Sequence, residues 1–320
     1  MNKELLILRH GKSDWNTQVD DFYRPLIERG KRGAELLGVW TQQQDLVPDF
    51  VLSSPATRAL DTAKRFCHAM GLSEQLIYQE AKIYEANAAT LKAIINECPH
   101  QARRVLIVGH NPGLEHLLQD LLSDPISAAE DGKILPTATL AHLTLGQYWS
   151  QTSSGCATLN SLIRPSLLAE QFPFVGLKGA EFRPRPAYYY SQAAVIPYCI
   201  VDNVFKLLLV SSSHKQRWRF PTSIIAPGST PQAAGTQAAW ELAGVKGVIS
   251  DEVLGYHSQA KWRGQCVIQL FPLAVTEIVP SAEWSKQHKR QWLTPKQAML
   301  ELNSPGLSKT IKKLLSLLEQ

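Results

Sequence analysis

The 320-residue sequence predicts an α/β domain followed by an α+β domain. The length suits two domains of roughly 150 residues, each large enough to bury its own core. Short apolar runs alternate with helical patterns in the first half, as in a parallel sheet flanked by helices. The composition shifts between residues 165 and 190, where prolines and glycines occur without a sustained period and mark a connection.

In the first half, the run Leu-Leu-Ile-Leu at 5–8 is wholly apolar, as expected for a buried strand of a parallel sheet. Further short apolar runs predict strands at 50–52, 105–108, 140–145 and 157–163. Helical patterns occupy 28–44, 56–70, 91–97 and 114–122. This order predicts an α/β sandwich with a site at the carboxyl ends of its strands.

Residues 167–187 are predicted to form a linker, so the two domains are 1–166 and 188–320. In the second domain, strands are predicted at 193–201 and 205–210 around an Asp202-Asn203 turn, and at 267–275. Helices are predicted at 231–242, at 294–302 and from Ser308 onward. This mixture predicts an α+β domain.

The composition is that of an ordinary globular protein, with 44% hydrophobic and 19% charged residues. No apolar run approaches the roughly 18 residues that a membrane helix needs, and the N-terminus lacks the pattern of a signal peptide. The five cysteines are scattered, with neither CxxC nor zinc spacing. We therefore expect reduced thiols, a cytoplasmic location and no membrane partner.

The formal net charge of +5 is unevenly distributed. Residues 1–168 hold 16 Lys and Arg against 18 Asp and Glu, whereas residues 169–320 hold 17 against 10. The second half should therefore attract anions. No basic run is interleaved with aromatic residues, so nucleic acid is not the predicted partner. A nucleotide, a polyphosphate or an acidic protein surface is compatible with this charge.

Four basic side chains follow three predicted strands of the first half. Arg9 and His10 follow the first strand, Arg58 the second and His110 the third. The carboxyl ends of parallel strands meet at one edge, so these groups should converge. Two guanidiniums can hold phosphoryl oxygens while a neutral imidazole attacks phosphorus and a protonated one stabilises the oxygens. Gly11 lets the backbone pass close to the anion.

Each of these residues also has a simpler interpretation. A single histidine after a strand is usually a structural group, and an arginine at the start of a helix is usually solvated. Their combination at the ends of three strands instead predicts a phosphoryl-transfer site that uses no metal and no cofactor.

These motifs resemble those of the histidine phosphatase superfamily, the phosphoglycerate-mutase-like group, and most of all its SixA-type phosphohistidine phosphatases. The matching stretches are LRHGKSDWN at 8–16, SSPATRA at 53–59 and GHNP at 109–112. The resemblance covers about 1–165 and implies a three-layer α/β/α fold in which His10 becomes the phosphohistidine intermediate. It also implies that the phosphoryl group is held by Arg9, Arg58 and His110. Asn16 would supply one further hydrogen-bond donor.

The general acid is the open question in this resemblance. Larger relatives protonate the leaving oxygen with a carboxylate; the nearest candidate here is Glu85, for which a helix-start charge is an equal interpretation. A well-placed acid is worth roughly 10²–10⁴-fold. Because phosphohistidine departs as imidazole, a better leaving group than an alkoxide, a site with weak acid catalysis favours phosphoramidate substrates.

Three functions remain compatible with the first half. They are a metal-independent phosphatase of phosphohistidine protein, a phosphomonoesterase of small phosphorylated metabolites or nucleotides, and a non-catalytic sensor of phosphorylated ligands. The intact set of His10, two arginines and His110 favours an enzyme, because a binding protein needs no positioned nucleophile.

Residues 223–245 resemble the Nudix box, G-x5-E-x7-R-E-U-x-E-E-x-G-U, in the register fixed by Gly244 and Val245. The resemblance covers about 186–305 and implies a Nudix-like domain. This sequence differs from the box at most of its defining positions. Ser223 stands in place of Gly, Ser229 in place of Glu, Gln237-Ala238 in place of Arg-Glu, and Glu241-Leu242 in place of Glu-Glu. Because magnesium needs several oxygen ligands, we expect this domain not to hydrolyse diphosphates.

The second half also contains two basic clusters and several tryptophans. The clusters are Lys215, Arg217 and Arg219, and Lys286, His288, Lys289 and Arg290. Such runs are usually solvated faces; the alternatives are a pocket that binds a phosphorylated ligand without cleaving it, or a docking surface for an acidic phosphoprotein. The tryptophans either stack on a ring or pack in the core: Trp262, Trp284 and Trp292.

Overall fold

The computed structural model describes residues 2–124, 126–127, 132–176, 179–201, 204–212, 215–280 and 288–318. The chain divides into two units, Met1–Phe172 and Pro173–Gln320. Each unit has its own sheet and its own hydrophobic clusters. No helix within the described ranges is long and apolar enough to cross a membrane.

The strands of the first unit form one six-stranded sheet. They are β1 (Glu4–Arg9), β2 (Phe50–Ser53), β3 (Ile77–Gln79), β4 (Arg104–Gly109), β5 (Leu140–Thr144) and β6 (Thr158–Ile163). Their order is β3-β2-β4-β1-β5-β6; the first four are parallel, and β5 and β6 are antiparallel to their neighbours. All predicted strands are present, whereas the short β3 was not predicted because three residues give no periodic pattern.

Helices cover both faces of this sheet: α1 (Glu28–Gln43), α2 (Thr57–Ala69), α3 (Ala88–Asn96) and α4 (Gly113–Leu121). Successive side chains of a strand point to opposite faces. Accordingly, Leu6 and Leu8 of β1 pack in the core cluster that contains residues of α1 and α2. Leu5 and Ile7 pack in the cluster that contains residues of α3 and α4. This arrangement confirms the predicted three-layer α/β/α fold.

The second unit is built around an eight-stranded sheet. A hairpin of β7 (Phe172–Gly176) and β8 (Gly179–Arg183) precedes it. The sheet comprises β9 (Ser191–Val201), β10 (Val204–Ser212), β11 (Lys215–Arg219), β12 (Thr222–Ile224), β13 (Val245–Ile249), β14 (Gly255–Lys261), β15 (Gly264–Ile278) and β16 (His288–Leu293). Its main path is β11-β10-β9-β15-β13, with β12 beside β9, β14 beside β15 and β16 beside β10.

Three helices pack on this second sheet: α5 (Pro231–Ala243), α6 (Pro295–Leu302) and α7 (Pro305–Leu318). Ala193 and Val195 of β9 join the cluster that contains residues of α5. Ala194 and Ile196 join the cluster that contains residues of α6 and α7. The α+β class is confirmed. The short polar strands were not predicted, and the predicted Asp202-Asn203 turn lies outside the described residues.

The stretch predicted as a linker contains the β7–β8 hairpin. The guanidinium of Arg183 lies 3.4 Å from the ring centroid of Phe174 and 4.8 Å from that of Tyr190. These cation–π contacts join the hairpin to the turn before β9. The hairpin was not predicted, because the prolines and glycines of this stretch interrupt the alternating pattern that identifies strands.

Candidate active site

The two histidines of the predicted site leave adjacent parallel strands side by side. Arg9 ends β1 and pairs in register with Gly109, the last residue of β4. The backbone N–H of His10 donates to the carbonyl of Gly109 at 3.1 Å. The ring centroids of His10 and His110 are 5.1 Å apart. The structure thus brings both imidazoles together at the carboxyl edge of the sheet.

The imidazole of His10 is buried and held as one tautomer. Its Nδ1 lies 2.7 Å from the carbonyl oxygen of Gly11. A carbonyl only accepts hydrogen bonds, so Nδ1 carries the proton and Nε2 keeps its lone pair. Burial, followed by His110 and the guanidiniums of Arg58 and Arg9, lowers the pKa of His10 to about 3. His10 is therefore neutral at physiological pH, with a free Nε2 lone pair of the kind that nucleophilic attack needs.

Gly11 is required by a close backbone approach. A Cβ atom at this position would lie 2.6 Å from the carbonyl oxygen of Gly30 in α1. The N–H of Gly11 donates to Oγ1 of Thr62 in α2 at 2.9 Å. The structure therefore adds a packing reason for this glycine to the one that the sequence suggested. The loop after β1 is locked against both helices on one face of the sheet.

Two predicted arginines border the nucleophile, and both are fixed by main-chain acceptors. Arg58 lies in the first turn of α2 and is buried. Its Nη1 donates to the carbonyl of Asp21 at 2.5 Å, and its Nη2 donates to Oδ2 of Asp21 at 2.7 Å. Arg9 donates from Nη1 to the carbonyl of Leu135 at 2.8 Å. Both guanidiniums are oriented before any ligand binds.

Three residues outside the predicted set also join the site: Asp21 and Arg24 of the loop between β1 and α1, and Tyr84 of the loop before α3. Arg24 is buried, and its Nη2 lies 2.8 Å from Oδ1 of Asp21. The guanidinium of Arg24 also stacks on Trp15, 3.5 Å from the ring centroid. The hydroxyl of Tyr84 donates to Oδ2 of Asp21 at 3.1 Å. A single carboxylate therefore joins two arginines and a tyrosine at the site.

The carboxyl group of Asp21 is ionised in this arrangement. Its partial burial alone would raise its pKa, but Arg58, Tyr84 and Arg24 together outweigh that effect. The pKa of Asp21 is therefore below its ordinary value. At neutral pH this group accepts hydrogen bonds and has no proton to donate.

His110 differs from the sequence expectation in its charge. Burial and the guanidinium of Arg58 lower the pKa of His110 to about 4, so the imidazole is neutral in the free site. Its Nε2 lies 2.9 Å from Oγ of Ser54, which also accepts the N–H of Ala56. In the tautomer in which the Ser54 hydroxyl donates to Nε2, Nδ1 of His110 is the N–H donor. A bound phosphoryl dianion would favour the protonated form.

Several buried donors around the nucleophile have no acceptor. Within the described residues, hydrogen-bond partners are lacking for Arg9 Nε, Arg24 Nε and Nη1, Arg58 Nε and His110 Nδ1. Leaving a buried polar group unsatisfied costs about 1–3 kcal/mol. The oxygens of a phosphoryl group supply the missing acceptors. The site is therefore complementary to an anion with several oxygen atoms.

Two predicted site residues are not joined to this cluster. Asn16 is exposed, and in the described structure its side chain makes no hydrogen bond; only its backbone N–H does, to Asp14 at 2.9 Å. Glu85 is also exposed and adopts a left-handed backbone conformation with φ 55°. The carboxylate bonded to the arginines is Asp21 instead.

The sequence carried only a weak signal for these additional residues. Asp21 and Arg24 lie three positions apart in a loop without periodicity, and Tyr84 lies in another loop. These residues lie close to Arg58 because each loop folds back to the carboxyl edge of the sheet. Charged residues before a predicted helix, in Asp21-Phe22-Tyr23-Arg24, were the available clue.

Comparisons with known proteins agree with this geometry. The model of the histidine phosphatase superfamily (branch 1) matches residues 5–88. An uncharacterized protein of Mycobacterium tuberculosis is 33% identical over 156 residues, which are 48% of this chain and 96% of that protein. The chain belongs to the histidine phosphatase superfamily. We refer to residues 1–172 as the histidine phosphatase unit.

Solved structures similar to this chain include two SixA proteins. A proposed phosphohistidine phosphatase SixA from Nakamurella multipartitia is 25% identical, with a TM-score of 0.44, and the match covers 52% of this chain and 97% of that one. The protein histidine phosphatase SixA complexed with tungstate is 24% identical, with a TM-score of 0.42, over 51% of this chain and 98% of that one.

The rest of the chain is Nudix-like. Nudix hydrolase 12, mitochondrial, of Arabidopsis thaliana is 28% identical over 125 residues, which are 37% of this chain and 62% of that protein. The box-like segment keeps its turn, because Gly244 ends α5 in the left-handed conformation at φ 60°. It does not keep the metal ligands: Ala238 is buried, and Glu241 accepts a hydrogen bond from Gln237 at 2.8 Å. No three metal-ligating side chains come together in the described residues.

A cavity of about 570 Å³ lies beside this box helix. Arg217 and Arg219 line it from β11, His257 from β14, and Glu241 from α5. Burial lowers the pKa of Arg219. In the described part of the chain, neither arginine side chain has a hydrogen bond or an ion pair. The cavity wall is therefore positively charged where a metal-binding box would be negative.

The remaining members of the predicted clusters have other positions. Arg290 donates to the carbonyl of Ala243 at 2.8 Å and to that of Gly244 at 3.2 Å, so it caps the C-terminus of α5. Trp292 packs against the core, and Trp262 lines the cavity beside Tyr189. Lys286 and Trp284 lie outside the described residues, as do the side chains of Lys215 and His288.

Proposed function

We propose that the histidine phosphatase unit hydrolyses phosphohistidine in proteins through a covalent phosphate on His10. Membership of the superfamily supports a phosphatase. The observation that carries the proposal is the ring of unpartnered buried donors around a neutral histidine with a free Nε2. This arrangement binds a phosphoryl group and presents a nucleophile to it, whereas a sensor would need only the donors.

The proposed reaction has two steps. Nε2 of His10 attacks phosphorus while the bond from phosphorus to the substrate nitrogen breaks, and the guanidiniums and His110 hold the equatorial oxygens. Water then attacks the phosphorylated His10 and releases phosphate. The hydrogen bond from Nδ1 to Gly11 is kept throughout, so the ring does not rotate between steps. Arginines supply the positive charge, and the reaction therefore does not require a divalent metal.

The leaving group decides between the two candidate substrates. A phosphate monoester releases an alkoxide that needs a proton, and the exposed Glu85 is not bonded to the cluster. Asp21 is ionised and has none to give. Imidazole leaves without this help, which favours phosphohistidine over small phosphomonoesters.

The proposal is tested by a substrate panel on wild type and His10→Ala, each with chelator and with magnesium. We expect the wild type to release phosphate from histidine-phosphorylated protein in chelator, and His10→Ala to lose at least about 10³-fold. Mass spectrometry of a quenched reaction should find phosphate on His10. Faster turnover of sugar phosphates than of phosphohistidine would favour the phosphomonoesterase, and no covalent phosphate from any donor would favour the sensor.

For the Nudix-like unit, we propose anion binding without diphosphate hydrolysis. Arg217 and Arg219 are two positions apart on β11 and so face the same side. Glu241 is the one carboxylate among the described lining residues of the cavity. Two guanidiniums that form no ion pair with the described residues attract an anion, and one glutamate is too few ligands for a bridging metal pair.

This second proposal is tested with inorganic pyrophosphate on the full chain carrying Arg58→Ala, which weakens the first site. We expect calorimetry in chelator to detect binding that is lost in Arg217→Ala/Arg219→Ala and kept in Lys309→Ala, an exposed lysine of α7. Binding that requires magnesium would contradict it. Magnesium-dependent cleavage of nucleoside or inositol pyrophosphates that survives His10→Ala would also contradict it.

A further inference from the structure

The carboxylate of Asp21 lies at the open side of the phosphatase site. Its side chain is 48% exposed, whereas the side chains of Arg58 and Arg24, to which it is bonded, are 6% and 9% exposed. It belongs to a single 3-10 turn at Asp21–Tyr23 in the loop after β1. A group that enters the site from solvent therefore meets Asp21 before it meets the buried arginines.

The other carboxylate near this cluster, Glu115, is already engaged. Burial lowers the pKa of Arg9, and the charge of Glu115 partly opposes this effect, which shows that Glu115 lies nearby. However, its oxygens accept the side-chain amide of Asn111 and the backbone N–H of Ile134. Asp21 is thus the bonded carboxylate that solvent and a leaving group can reach, among the described residues.

We infer that Asp21 accepts a hydrogen bond from the ring N–H of the substrate imidazole and thereby selects phosphohistidine over phosphate esters. This inference rests on the proposed phosphohistidine phosphatase activity. An ionised carboxylate attracts a protonated phosphohistidine ring, which carries its proton on the nitrogen not bonded to phosphorus. It offers nothing to a leaving alkoxide, which needs a proton.

The transfer balances without an additional acid. The substrate ring is protonated on its distal nitrogen, and the electron pair of the broken P–N bond returns to the proximal nitrogen. The ring leaves as neutral imidazole with its distal N–H still bonded to Asp21. His10 forms the new P–Nε2 bond and takes up the positive charge, while its Nδ1–H stays bonded to Gly11. Water then attacks phosphorus, the electron pair of the P–Nε2 bond returns to Nε2, and dihydrogen phosphate leaves.

The two imidazoles of this transfer thus have matching partners. The carbonyl of Gly11 accepts the Nδ1–H of His10 at 2.7 Å. Asp21 provides the corresponding acceptor for the substrate ring. Phosphorus moves between two rings that are both protonated on the distal nitrogen, so neither transfer direction creates an unstabilised charge.

The experiment compares two substrates in wild type, Asp21→Asn, Asp21→Ala and Asp20→Asn. One substrate is a protein phosphorylated on histidine by phosphoramidate. The other is p-nitrophenyl phosphate, whose leaving group departs without a proton and has no ring N–H for Asp21 to accept. Asp20 is the matched control, because its side chain makes no hydrogen bond at this turn. The readout is the ratio of kcat/KM values for the two substrates.

We expect both Asp21 variants to lose at least about tenfold more activity on phosphohistidine than on p-nitrophenyl phosphate, since a hydrogen bond to a charged group is worth at least this factor. Asp20→Asn should keep the wild-type ratio. If Asp21 only orients Arg58, both activities fall by the same factor, which overturns the inference and leaves the proposed function intact. A wild type that prefers p-nitrophenyl phosphate overturns both.

Discussion

Oδ2 of Asp21 lies 2.7 Å from Nη2 of Arg58, although 37 positions separate the two residues in sequence. The carbonyl oxygen of the same aspartate accepts Nη1 at 2.5 Å. Two acceptors on one residue fix both ends of the guanidinium, while Nε remains without an acceptor. The loop after β1 thus sets the orientation of an arginine on α2 before a phosphoryl group arrives.

Arg24 should contribute to phosphoryl binding although it is absent from the motif that identified the site. Arg24→Ala removes a buried guanidinium with two unpartnered nitrogens. We expect kcat/KM to fall about 10²-fold and inhibition by inorganic phosphate to weaken, as for the loss of one preorganised donor. Arg29→Ala removes an exposed arginine and is the control. Activity within twofold of wild type would contradict this role.

The depressed pKa of His10 predicts how stability depends on pH. The folded state holds this histidine neutral down to about pH 3, whereas the unfolded chain protonates it below about pH 6.5. Stability is therefore lost as pH falls from 6.5 toward 3. Between pH 8 and pH 5, His10 alone should remove about 2 kcal/mol from the free energy of unfolding.

Urea denaturation at both pH values checks this. His10→Asn should lose about 2 kcal/mol less than wild type between pH 8 and pH 5. His116→Asn, which removes an exposed histidine of α4, should behave as wild type. An equal loss in wild type and His10→Asn would show that the folded state does not resist protonation of His10.

Gly11→Ala should destabilise the histidine phosphatase unit by steric overlap. The added Cβ would lie 2.6 Å from the carbonyl oxygen of Gly30, and neither backbone segment can move freely. We expect a loss of about 2–3 kcal/mol, typical of overpacking. Gly146→Ala, where no atom lies within 4 Å of the new Cβ, should change stability by less than about 0.5 kcal/mol. Thermal denaturation of both variants measures the difference.

Arg290 should stabilise the fold of the Nudix-like unit rather than bind an anion. Arg290→Ala leaves the carbonyls of Ala243 and Gly244, at the end of α5, without their side-chain donor. We expect a loss of about 1–3 kcal/mol in the free energy of unfolding. Lys289 precedes Arg290 and has an exposed side chain, so Lys289→Ala should change the free energy of unfolding very little. The reverse order of the two effects would contradict the capping role.

The sequence allowed much of the first sheet and its site to be predicted, because the information is local. Four consecutive apolar residues indicate a buried strand, and Arg9 and His10 follow it directly. Since parallel strands end at one edge, the convergence of His10, Arg58 and His110 follows from topology alone. The loss of carboxylates at Ala238 and Leu242 is equally visible in one helical register.

Other features depended on contacts between distant segments. The carboxylate at the site is Asp21 rather than Glu85, because a loop turns back onto α2, and loop paths have no periodic pattern. The charge of His110 is set by burial and by Arg58, and neither is encoded near residue 110. By itself, the sequence determined which strand ends carry the candidate phosphoryl site. Only the tertiary structure decided which carboxylate and which protonation states complete it, because electrostatics depends on distance in space and on exclusion of water.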